Sequence, residues 1–125
     1  MRFNGLIFRN SALLPVTLRK ITDGMSKTFM VGECVVSQDF QSAAFFSDGS
    51  WDSCGIPLNY FLVNVSDDEL KFDRWNEVRG FKSLHPGGAQ FVMADGSVHF
   101  INDSIDDTIY RGLATRNVGE TVDVP

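Results

Sequence analysis

The sequence predicts an α+β fold, a mostly antiparallel sheet with short helices, and three observations carry that prediction. Asp95-Gly96 stands between two apolar runs, which is the strongest short-range hairpin signal in a sequence. The other apolar runs are short and broken by Gly, Asn or Pro, without the alternating helices that a parallel sheet needs. Ile105, Ile109 and Leu113 recur every four residues after the hairpin, giving one apolar stripe on a short helix.

The chain has 125 residues, enough for a single domain, 1–125, with its own core. Eleven Phe and two Trp supply large apolar surface for it. The formal net charge of −5 and the scatter of Lys and Arg leave no basic footprint, so nucleic acid is not an expected partner. No run approaches the length of a membrane span, and no apolar region follows the charge at Met1–Gly5 as a signal peptide requires.

Along the chain, Gly5–Arg9 reads as a short strand, and Pro15 interrupts any helix or central strand after it. Thr22-Asp23-Gly24 reads as a turn with Thr22 as a cap. Thr28–Val36 reads as a strand. Glu33 within it is either a carboxylate on the wet face or a buried acid bonded to backbone or to an Arg. Phe45–Trp51 echoes Val92–Val98 and predicts a second Asp-Gly hairpin, with Phe46 opposite Trp51. Ser66–Glu69 reads as the capped start of a helix ending near Asn76. Ser104 with Asp107 resembles a capping box for the last helix, with Arg111 and Arg116 toward its end and Gly119 as its stop. Thr121–Val124 reads as an edge strand.

A two-residue loop at Asp95-Gly96 sets Met93 opposite Val98, Val92 opposite His99 and Phe91 opposite Phe100. Phe91, Met93, Val98 and Phe100 then share one apolar face, the expected core face. If Gly87-Gly88 is a second two-residue loop, Leu84 faces Phe91 and His85 faces Gln90, and a three-strand meander runs from Phe81 to Ile101. His85 and Asp95 then sit at opposite ends, so their spacing makes no metal site. An open loop at Pro86-Gly87-Gly88 instead leaves a cluster of His85, His99 and Asp95 as an alternative.

The stretch Phe81–Ile101, with His85-Pro86-Gly87-Gly88, nine residues from His85 to Asp95, then Asp95-Gly96, resembles the H-x9-D-G signature of a prepilin-type, processing-associated family abundant in planctomycete-type bacteria. Ile21–Glu33, with Thr22, Asp23, Gly24 and Glu33, is similar to that family's I-T-D-G-T-S-N-T-x-x-x-G-E segment. The resemblance implies the globular head of a pilin or pseudopilin. It implies a non-catalytic subunit of a type IV pilus-like or type II secretion-like system, on the periplasmic side of the cell envelope. Its expected partners are further copies or other pilin-like subunits. Members of that family begin with a cleavable leader and a long hydrophobic helix that packs on the sheet. Neither stands in these residues, which predicts no membrane contact by them, an exposed apolar sheet face and self-association. Two readings follow: a trimmed head of an exported protein, or a natively short chain that stays in the cytoplasm.

The chemistry-bearing residues support no reaction. Cys34 and Cys54 either pair in an oxidising compartment or are two small thiols, and without C-x-x-C they predict no zinc site. Asp67, Asp68, Glu69 and Asp73 could hold calcium, although they miss the EF-hand spacing, and no other cofactor is expected. His85 has three readings: a turn-bonding residue, an interaction surface, or a metal or catalytic group. Ser, His and Asp occur without a nucleophile motif, so a hydrolase is the weakest alternative. The leading expectation is a non-catalytic assembly protein, and the runner-up is a soluble module binding calcium or a surface ligand.

Overall fold

In the computed structural model, residues 4–8, 13–42, 52–119 and 124 are described. The expected hairpin is the middle of the fold. β2 (Gly88–Met93) pairs antiparallel with β3 (Val98–Asn102) on one side and with β1 (Phe29–Gly32) on the other. Among the described residues the sheet is accompanied by one α-helix, α1 (Asp107–Leu113), and by single helical turns such as Met25–Lys27 and Glu69–Asp73. The fold is the small α+β arrangement that the sequence predicts.

The hairpin loop has three residues, not two. The Gly96 N–H donates to the Met93 carbonyl at 2.9 Å, and the Met93 N–H donates to the Ser97 carbonyl at 2.8 Å. Gly96 follows the turn with a φ of 88°, the left-handed position of a three-residue hairpin loop. The register therefore sets Val92 opposite Val98, Phe91 opposite His99 and Ala89 opposite Ile101. A slip of one residue turns a whole strand over. The core face carries Ala89, Phe91, Met93 and Ile101, while Val98 and Phe100, expected inside, are 60% and 48% exposed.

The core is built on that inner face. Phe29 stacks on Phe91 with ring centroids 4.1 Å apart, and Phe81 meets Phe91 edge-on at 5.1 Å. Tyr110 and Leu113 of α1 close the cluster with Cys54 and Leu58, and a smaller cluster gathers Leu62, Leu70 and Val78. The expected stripe of α1 is rotated. Tyr110 and Leu113 are buried, whereas Ile109 is 38% exposed. The helix also starts differently: the Asp106 carboxylate accepts from the Thr108 N–H at 2.8 Å and the Ile109 N–H at 3.3 Å. Ser104 bonds the Asn102 side chain instead. Ala114 caps the C-terminus, so Gly119 is not the stop residue.

Other expectations are corrected by local bonding. Gly5–Phe8 forms bends rather than a strand, and Asn4 accepts from the Arg116 N–H. β1 ends at Gly32, short of Val36, after a bulge at Met30. The stretch from Phe81 to Gly87 is a loop, and β1 takes the place of the third meander strand. Ser66 and Glu69 do form a reciprocal cap: the Ser66 N–H donates to the Glu69 carboxylate at 2.9 Å, and the Glu69 N–H donates to Ser66 Oγ at 3.3 Å. The short helix they start ends at Asp73. The hairpin expected at Phe46 and Trp51 and residues 121–123 of the last expected strand fall outside those described, while Val124 is half-buried against the main core.

Candidate functional site

The two segments that stood out in the sequence, Ile21–Glu33 and Phe81–Ile101, lie side by side. At one end the Asp95 N–H donates to the Met25 carbonyl at 3.2 Å, and the Ala94 N–H donates to the Thr28 carbonyl at 2.8 Å. At the other end Glu33 continues the pairing with its side chain where β1 stops. One carboxylate oxygen accepts from the Gln90 N–H at 2.7 Å, and the other lies 3.2 Å from His85 Nε2. The Glu33 carbonyl accepts from the Lys82 N–H at 3.0 Å. The Glu33 and His85 side chains are 34% and 52% exposed. Of the two readings of Glu33, the bond to backbone is present, but the acid is half-exposed rather than buried, and its second partner is a histidine, not an Arg.

His99 and Asp95 belong to the opposite end of β2. The Ser97 hydroxyl donates to Asp95 Oδ1 at 2.6 Å and lies 3.1 Å from His99 Nε2. The order is carboxylate, hydroxyl, imidazole. The serine proton points at the acid, so the imidazole is not placed to withdraw it as a general base would. The Ser97 hydroxyl, then the Ser97 N–H, hold the Asp95 carboxyl below the usual carboxylate range. The open-loop cluster of His85, His99 and Asp95 does not form, because β2 separates His85 from the other two.

A family model described as a protein of unknown function (DUF1559) matches residues 2–108, which include Asp23, Glu33, His85 and Asp95. The chain belongs to this family. No curated protein and no solved structure matches it.

In this DUF1559 chain the remaining motif residues serve the backbone. The Asp23 carboxylate accepts from the Val118 and Gly119 N–H groups, both at 2.9 Å, and so ties the segment after α1 to the turn before β1. Thr22 is not a helix cap; its hydroxyl reaches the Arg116 carbonyl at 3.4 Å. Pro86 and Gly87 form the turn into β2, with Gly87 at a φ of 82°. Gly88 is needed for close approach: a Cβ there would lie 2.1 Å from the Ile101 carbonyl oxygen.

Two residues escaped the sequence reading. Asn59, at a φ of 58°, accepts from the Ser83 N–H at 2.8 Å and donates to the Gly88 carbonyl at 3.3 Å and to Asp103 at 3.2 Å. Its only signal was an Asn interrupting an apolar run, a residue type that tolerates the left-handed region. Lys82 is fully buried, and its ammonium donates to the Val78 and Gly80 carbonyls. Burial lowers its pKa, and Asp52 and Asp39 work against that shift.

No disulfide joins Cys34 and Cys54. Cys54 is in the main core beside Tyr110, and burial pushes its thiol up to about 12. Burial also raises Cys34, with Asp52 and Asp39 adding to the shift. Among the described residues no three His, Cys, Asp or Glu side chains form a group able to hold a metal. Nor is any described helix long and apolar enough to cross a membrane. Of the acids read as calcium ligands, Glu69 is engaged by Ser66. A cavity of about 570 Å³ adjoins the core, lined by Phe29, Asp52, Cys54, Trp75, Arg79 and Phe81 among others. Within it Arg79 donates to the Gln41 side chain at 3.1 Å.

Proposed function

We propose that this chain is a non-catalytic assembly subunit of the cell envelope, related to the pilins and pseudopilins. The observation that carries the reading is the use made of the motif residues. Glu33, Asp23 and Asp95 spend their carboxylates on backbone N–H groups, and His85 bonds Glu33. Such residues set the shape of a scaffold. The similarity of Ile21–Glu33 and Phe81–Ile101 to the prepilin-type H-x9-D-G segments supports an envelope location and pilin-like partners as part of this reading.

The test is made in cells of the native source, with a photocrosslinking residue at exposed Leu84 and a fractionation tag. The expected result is recovery with the envelope and a crosslink to a pilin-like subunit. Recovery in the cytosol with no such adduct overturns the reading.

The cavity beside Trp75 and Arg79 favours a second reading, a soluble ligand-binding module. For its calcium version, the thermal midpoint rises when calcium is added. An unchanged midpoint removes that version.

A further inference from the structure

Among the described residues, β1 and β3 are the two edges of the sheet, and they are built differently. Soluble proteins guard an edge strand with charge, proline, shortness or a bulge. β1 has only four residues, carries the bulge at Met30 and runs into Glu33. β3 is Val98-His99-Phe100-Ile101-Asn102, pairs with β2 in unbroken register and has neither a carboxylate, a lysine, an arginine nor a proline. The bonds from Met93 N–H to Ser97 O and from Asp103 N–H to Gly87 O bracket the ladder. In the alternation of an antiparallel pair, His99 and Ile101 therefore turn their backbone groups to β2, and Val98, Phe100 and Asn102 turn theirs outward. Among the described residues, the only bond of the turns and loops that uses one of these outward groups runs from Ile105 N–H to the Asn102 carbonyl.

From this asymmetry we infer that β3 pairs with β3 of a second copy, antiparallel about a two-fold axis at Phe100. The inference rests on the assembly reading above and names its surface. The strand is self-complementary in that arrangement. Phe100 meets its own equivalent, Val98 meets Asn102, and Ser97 meets Asp103, so no like charges face each other across the seam. A parallel pairing would set Asp103 beside Asp103, which a chain of net charge −5 does not favour. The two Phe100 side chains, each 48% exposed in the single chain, come together on the open face. The result is a continuous sheet of both copies, closed by isologous contact.

The experiment is sedimentation of the whole chain over a concentration series, with charge variants on the open face. The wild type is expected to dimerise as concentration rises. Phe100→Lys and Phe100→Glu each weaken the dimer about tenfold or more, because like charges meet at the axis. Mixing the two variants restores pairing as a heterodimer. Val31→Lys, 49% exposed at the other edge, leaves the association unchanged. Amide exchange at Val98, Phe100 and Asn102 slows with concentration in the wild type, independently of any variant. A chain that stays monomeric, or a dimer insensitive to both Phe100 variants and sensitive to Val31→Lys, overturns the inference. A cytosolic chain that pairs through β3 upholds it while removing the envelope reading.

Discussion

Glu33 and His85, 52 positions apart in the chain, meet at 3.2 Å where β1 ends beside the loop that leads into β2. The same carboxylate holds the Gln90 N–H, so one side chain joins a strand, a loop and the start of the hairpin. Glu33→Ala is expected to cost about 1 kcal/mol by removing the acceptor of an amide bond. His85→Ala is expected to cost less than about 1 kcal/mol, because it removes a single half-exposed hydrogen bond. Glu33→Gln keeps an acceptor and falls between them. Urea unfolding of the two alanine variants and their double mutant checks the coupling; strictly additive losses would mean that Glu33 and His85 do not interact.

Gly88 and Gly87 separate close approach from backbone conformation. Gly88→Ala forces a methyl against the Ile101 carbonyl and is expected to cost about 3 kcal/mol or more, or to prevent folding. Gly87 has nothing within 4 Å of a built Cβ, so Gly87→Ala costs about 1 kcal/mol of left-handed strain. Thermal unfolding ranks the two, and equal effects would contradict the packing of β3 on Gly88.

Asn59 and Asn64 both have positive φ, at 58° and 59°. Glycine relieves that conformation at either site. Asn59→Gly is still expected to destabilise by about 2 kcal/mol, because the bonds to Ser83 and Gly88 are lost. Asn64→Gly is expected to be neutral within about 0.5 kcal/mol. Denaturant midpoints decide between them.

The buried thiol destabilises the fold at alkaline pH. The Cys54 thiol has an ordinary value of 9.0 and is pushed up to about 12 by burial. An acid whose folded pKa is raised keeps the folded state stable below its unfolded value and loses that stability as pH rises toward the folded one. Burial raises Tyr110 as well, in the same direction. Thermal midpoints are expected to fall from about pH 9 upward. Cys54→Ala should lower the midpoint at neutral pH and make the alkaline fall shallower; an unchanged slope would count against the buried thiol.

The acid limb runs the other way. Asp95 is held low first by the Ser97 hydroxyl, and Asp106 first by the Thr108 N–H. Depressed carboxylates contribute stability above their unfolded values, near pH 4, and lose it as pH falls through the folded ones. Asp95→Asn and Asp106→Asn are expected to flatten thermal midpoints between about pH 4 and 2. A full wild-type acid slope in the double variant would refute the assignment.

Turn chemistry and local pattern were legible because they act over a few residues. Asp95-Gly96 announced a hairpin, Ser66 and Glu69 announced their reciprocal cap, and the short strands announced an antiparallel sheet. The candidate site was half legible. Asp23, Glu33, His85 and Asp95 could be named from the sequence, but what each one bonds could not.

The sequence by itself determined the fold class, the central hairpin and the motif residues, since propensity, periodicity and turn preference reside in neighbouring positions. The tertiary structure decided the rest. Whether the loop held two residues or three turned β3 over, and sent Ile101 inward and Phe100 outward, because side chains alternate with a period of two. Whether Glu33 met water or His85 depended on β1 pairing with β2 across more than fifty residues. Such contacts leave no local trace, because their free energy arises only when distant segments pack together.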